Sequence, residues 1–122
     1  MSMLVWVGVV LIGGAGSVLR FLVDGMMSSR TGRAFPYGTL VVNISGAVVL
    51  GLLTGLALSG DVALLAGTAA VGSYTTFSTW MLESQRLTEE RQVRSALLNI
   101  VVSLVLGVTA GAIGVAAGAA IR

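Results

Sequence analysis

The groups able to do chemistry in this sequence are amides and hydroxyls set in apolar runs, together with backbone carbonyls beside glycine. The densest cluster runs from Gly67 to Trp80, where Thr68, Ser73, Tyr74, Thr75, Thr76, Ser78 and Thr79 surround Gly72. Such polarity within hydrocarbon fits two arrangements. In one, the helix stays regular and each hydroxyl bonds back to its own carbonyls. In the other, the helix breaks around Gly72 to Thr76. Irregular backbone is tolerated in a membrane only where it is buried in protein or lines a cavity, and there its carbonyls can coordinate a cation. Thr39 and Asn43 lie one helical turn apart, with Gly46 close to the same face. The Asn43 amide either ties two helices together or offers its NH2 donors to an anion. Asn99, Ser103 and Gly107 recur at i, i+4 and i+8, a narrow stripe that lines either a track or a helix contact. Arg20 either snorkels to the membrane interface or faces an aqueous vestibule, where it would concentrate anions. Glu83 is read as an interfacial charge rather than a proton carrier.

Catalysis has little to work with. There is no cysteine and no histidine, which removes thiolate chemistry, imidazole metal sites and the commonest general base. The carboxylates form no acid and base pair. The chain is therefore not expected to be an enzyme.

The elements that must position these residues follow from composition. Of 122 residues, 56% are hydrophobic and 10% charged, with 17 glycines and one proline. A soluble domain of this length could not bury that much apolar surface, and the small residues suit membrane helices in close backbone contact. A span needs about 20 apolar residues, and four such stretches are present, roughly 3–23, 37–58, 62–82 and 95–121. The expected fold is an all-α membrane protein, one domain over residues 1–122, with the third helix broken. Turn residues separate the spans: Arg30, Gly32, Arg33 and Pro36 in the first connection, Ser59-Gly60-Asp61 in the second, and a charged hairpin from Glu83 to Arg94 in the third. The pairs Gly51/Gly55, Gly107/Gly111 and Gly114/Gly118 serve packing either within one subunit or between subunits.

No basic residue precedes the first apolar run, so that helix is expected to stay in the mature protein rather than leave as a signal peptide. All seven basic residues are arginine. With an even number of spans, the first and third connections share a side carrying Arg30, Arg33, Arg86, Arg91 and Arg94. Adding Arg20 makes the asymmetry six arginines to one, with Arg122 and the N-terminal amine opposite. Basic residues near span ends favour the cytoplasm, so both termini are predicted outside. The basic balance reports topology and lipid contact, and no nucleic-acid partner is expected.

Three segments in order, Gly13-Gly14-Ala15-Gly16-Ser17-Val18-Leu19-Arg20-Phe21, Gly38-Thr39-Leu40-Val41-Val42-Asn43-Ile44-Ser45-Gly46 and Thr75-Thr76-Phe77-Ser78-Thr79-Trp80, resemble the motifs of the CrcB/Fluc family of bacterial fluoride channels. The resemblance implies an antiparallel dimer with anion pathways at the subunit interface and a structural, non-transported sodium ion held by the carbonyls of Gly72 and Thr75. It implies further that Asn43 donates to fluoride and that Phe77 and Trp80 supply aromatic edges. Thr39, Asn99 and Ser103 would line the pathway, with Arg20 at a vestibule. Fluoride is strongly hydrated, and a selective pore must replace water's donors without trapping the ion, a compromise that amide, hydroxyl and ring-edge contacts suit.

Two departures bear on assembly. The family usually has Phe where this chain has Trp80, and a chain that inserts both ways should lack the arginine bias. Both suggest a chain that prefers one orientation and pairs with an oppositely oriented homologue, Trp80 being tolerated because the partner supplies the other half of the pore; homodimer and heterodimer both stay open. The implied function is passive export of cytoplasmic fluoride across a bacterial inner membrane, which limits its toxicity. A proton-driven multidrug or cation transporter of the four-helix kind would need a carboxylate inside the membrane, and Asp24, Asp61 and Glu83 all fall at span ends. A non-conducting membrane subunit would lack anion flux altogether.

Overall fold

The computed structural model describes residues 2–32 and 34–122. Arg33 and Met1, the residue that carries the N-terminal amine, lie outside the described residues. Everything described is helix or connection, with no strand among the described residues.

The first helix, Met3–Thr31, starts where the Ser2 hydroxyl accepts the Val5 N–H at 3.3 Å and stops at Gly32, whose N–H bonds the Ser28 carbonyl at 2.9 Å. It continues past the predicted end at Val23, because polarity after Asp24 ends a span but does not break a helix. The Ser29 and Thr31 hydroxyls fold onto the Met26 and Met27 carbonyls, each at 2.8 Å, within its last turns. The second helix, Tyr37–Gly55, comes after the lone proline and stops three residues before the predicted boundary at Leu58, where Ala57 turns left-handed at φ 58°.

The stretch expected as the third span is in two pieces. The first half-helix covers 60–74 and changes gauge along its length. One α-helical turn, Gly60–Ala63, passes into a π-helix, Leu64–Val71, and then into a short α-helical turn, Gly72–Tyr74. The second half-helix is Ser78–Glu89, and the final helix is Val93–Ile121. Among the described residues, three helices are long and apolar enough to cross a membrane: the first, the second and the final one.

The hairpin between the second half-helix and the final helix closes with the Arg91 N–H on the Thr88 carbonyl at 3.1 Å and the Gln92 N–H on the Leu87 carbonyl at 2.8 Å. This paired closure normally seats glycine at its left-handed position, and here Arg91 occupies it at φ 62°. Arg91→Gly is expected to stabilise the fold by the roughly 1 kcal/mol that a left-handed side chain costs, seen as a higher melting temperature in detergent. A lower melting temperature would show that the guanidinium makes contacts that outweigh the strain.

Small residues set the helix spacing. The second and final helices run against each other along most of their length. A methyl group built on Gly51 would stand 3.0 Å from the Val115 nitrogen, and one on Gly114 would stand 2.8 Å from the Leu52 nitrogen, each closer still to a carbonyl oxygen. Gly55 and Gly118 meet the same helix contact, so these glycines serve packing within the subunit. Among the described residues, Val42, Leu87, Thr39 and Asn99 are the largest fully enclosed side chains, whereas large apolar side chains such as Met3, Phe21 and Val108 project outward. That inversion suits a lipid surround.

Candidate functional site

The break occupies Thr75–Phe77 rather than starting at Gly72. Gly72 is helical at φ −61°, and the chain extends at Thr75, with φ −80° and ψ 162°. One side chain holds it open. The Asn43 amide donates to the Thr76 carbonyl at 2.8 Å and accepts the Thr76 N–H at 2.8 Å, a two-point clasp from the second helix. Thr76 is buried, and its hydroxyl accepts the Thr79 N–H at 3.2 Å, capping the second half-helix. Gly46, one turn beyond Asn43, makes room for the break: a methyl group there would collide with the Thr75 side chain and stand 3.4 Å from the Tyr74 ring.

The clasp withdraws Thr76 from the helical ladder. Among the described residues, no hydrogen bond reaches the carbonyls of Gly72, Ser73, Tyr74 and Thr75, and the Phe77 and Ser78 N–H groups find no acceptor. The two arrangements anticipated for this stretch are therefore combined. Ser73 and Thr75 hydroxyls fold back on the Ala69 and Val71 carbonyls, while the backbone beside them opens. Free carbonyls on one side of the break suit a cation, and free N–H groups at the start of a helix suit an anion. Among the described residues, no cluster of carboxylates could hold a metal ion, so carbonyls are the donors on offer.

Among the hollows that border this region, three are lined by the expected site residues. The largest, about 670 Å³, is an open and mainly apolar groove that includes Asn43, Gly72, Thr75, Thr76, Phe77 and Trp80. The Phe77 and Trp80 rings meet edge to face, with centroids 5.7 Å apart and planes at 81°, and Phe77 is 69% exposed. A crevice of about 270 Å³ joins Asn43 and Trp80 to Ser103 and Gly107 of the final helix. On another side, a crevice of about 190 Å³ gathers Arg20, Asp24, Thr39, Thr76 and Thr79. Arg20, half-buried, thus lines this hollow together with the Asp24 carboxylate.

Thr39, 2% exposed, donates through its hydroxyl to the Glu83 carboxylate in a short contact. Asn99, wholly buried, lines none of these hollows. Its NH2 donates to the Ser84 hydroxyl at 2.9 Å and to the Trp80 carbonyl at 3.5 Å, and its own carbonyl accepts the Trp80 indole N–H at 3.1 Å. The structure thus gathers Asn43, Gly72, Thr75, Phe77 and Trp80 in one groove and links Ser103 to it. Arg20 and Thr39 share the other hollow, and Asn99 is a brace behind Trp80. The sequence reading missed Thr76 as the clasped residue, Thr79 and Asp24 as crevice walls, and Ser84 as the partner of Asn99. An apolar-face Asn that demands a partner was the available signal for Thr76.

A family model described as CrcB-like protein, Camphor Resistance (CrcB), matches residues 7–115. The chain is 72% identical over 110 residues, 90% of each chain, to a protein of Mycolicibacterium paratuberculosis named fluoride-specific ion channel FluC 2. It is 65% identical over 114 residues, 93% of this chain and 90% of the relative, to a protein of Mycobacterium tuberculosis with the same name. A protein of Symbiobacterium thermophilum named fluoride-specific ion channel FluC 1 is 41% identical over 119 residues, 93% of this chain and 96% of the relative.

Proposed function

The chain belongs to the CrcB-like family, and on that premise we propose how it works as a fluoride-specific ion channel. It is a multi-pass membrane protein and not an enzyme. The working form is an antiparallel dimer of four-span subunits in a bacterial inner membrane, through which cytoplasmic fluoride leaves down its electrochemical gradient. The observation that carries the reading is the Asn43 clasp on Thr76, which leaves backbone donors and acceptors free side by side at the break. Unsatisfied backbone groups cannot face lipid without a cost of several kcal/mol each, and a second subunit closing over the groove supplies the cover they need.

Fluoride passes between the second free N–H of Asn43, the Ser103 hydroxyl and the edges of Phe77 and Trp80, with Arg20 and Thr39 serving the vestibule side. The free carbonyls of Gly72 and Thr75 fit a sodium ion, a hard cation that takes oxygen donors. When bound, it supplies a fixed positive charge that offsets the mutual repulsion of those carbonyls. The arginine asymmetry favours a fixed orientation and hence an oppositely oriented homologous partner, and relatives named FluC 1 and FluC 2 fit such pairing.

Fluoride efflux from liposomes, monitored with a fluoride electrode, tests the reading. The chain, alone or co-reconstituted with an oppositely oriented homologue, is expected to empty fluoride-loaded vesicles and leave chloride inside. Equal loss of both anions would overturn the selectivity, and no fluoride loss in either preparation would overturn the channel reading. Full flux from the chain alone would remove the need for a second gene product.

A further inference from the structure

Hydroxyls in these helices normally fold back on the carbonyl four residues earlier: Thr54 on Leu50, Ser73 on Ala69, Thr75 on Val71, Ser84 on Trp80 and Thr109 on Val105. Ser103 does not, since its hydroxyl oxygen is buried without a hydrogen-bond partner. The carbonyl it would use is that of Asn99. A carbonyl oxygen has two lone pairs. The helical N–H four residues on takes one, and the Trp80 indole N–H, at 3.1 Å, takes the other.

The remaining free atom of this cluster is the Asn99 side-chain oxygen. Its orientation is fixed by Ser84, whose hydroxyl donates to the Trp80 carbonyl at 2.9 Å and must therefore accept from the Asn99 NH2. That leaves Asn99 with a buried free acceptor, which would repel an anion rather than bind one. The donor that the final helix can offer to the crevice shared with Asn43 is the Ser103 hydroxyl.

We infer that Trp80 is a positioning residue, whose indole N–H occupies the Asn99 carbonyl and so keeps the Ser103 hydroxyl free to donate to fluoride. The inference deepens the fluoride-channel reading and rests on it. Trp80→Phe keeps an aromatic ring and deletes only the indole and its donor. A crystal structure of this variant is expected to show the Ser103 hydroxyl turned onto the Asn99 carbonyl, and fluoride efflux is expected to fall roughly tenfold, the worth of one hydrogen bond to an anion. In a Ser103→Ala background, where that donor is already gone, adding Trp80→Phe should cost markedly less flux than it does in the parent, what remains being the change of ring edge. A Ser103 hydroxyl that stays unbonded in Trp80→Phe overturns the inference, as does an equal loss of flux in both backgrounds, which would assign the effect to ring size. If the parent chain carries no fluoride with any partner, the channel reading fails, while the crystal structure still decides whether the indole holds the hydroxyl free.

Discussion

Asn43→Ala is expected to lower fluoride efflux by about a hundredfold while leaving the helical content of the protein intact. Two losses combine. The free N–H of the amide disappears from the groove, removing a donor to the anion, and the clasp on Thr76 is released at both of its 2.8 Å hydrogen bonds. Leaving the buried Thr76 N–H and carbonyl unsatisfied costs about 1–3 kcal/mol for each group. The chain can avoid that cost only by closing the break into continuous helix, which ties up the carbonyls of Gly72 and Thr75. Electrode-recorded efflux and far-ultraviolet circular dichroism on the same preparation separate loss of conduction from loss of fold. Parent-level flux in this variant would remove Asn43 from the pathway and make the clasp dispensable.

Gly51→Leu is expected to prevent assembly of the folded subunit, seen as loss of the monodisperse peak in detergent chromatography. At Gly51 the second helix meets backbone rather than side chain, since a methyl group would lie 3.0 Å from the Val115 nitrogen and against the Gly111 carbonyl. Backbone cannot rotate aside as a side chain does, so the penalty exceeds the roughly 1–3 kcal/mol typical of overpacking. Gly107→Ala is the control, because a methyl group there meets only the Ile44 side chain, at 3.9 Å, and this variant should elute like the parent. A monodisperse Gly51→Leu variant would show that the two helices have room to part.

How much of this was legible in the sequence depends on how far each signal travels along the chain. Spans are local sums of apolarity, and the second and final helices appear close to where composition puts them. The break was legible because hydroxyls crowd beside Gly72, although its placement moved to Thr75–Phe77. That position is set by a partner 33 residues away, and nothing between Gly72 and Phe77 announces Asn43. The Thr39 and Glu83 contact, across 44 residues, was hidden for the same reason, which is why Glu83 read as a lone interfacial charge. The glycine pairs were visible as spacing but not as partners, because the same spacing serves contacts within and between subunits. Trp80 stood out as a departure from a resembled motif. What its indole holds became visible only when the final helix was folded against it.

The π-helix over Leu64–Val71 gives the chain slack. Each residue added to an α-helix rotates the rest of that helix by about 100°, so a plain α-helix through the same residues would swing Gly72 and its neighbours away from Asn43. The wider coil absorbs that excess upstream of the groove, as a shim does in a fitted joint. Chain length is consequently adjustable there. A one-residue deletion within 64–71 can be met by reverting to α-helix with Gly72 still in place, whereas the same deletion between Gly72 and Thr76 moves the clasped residue itself.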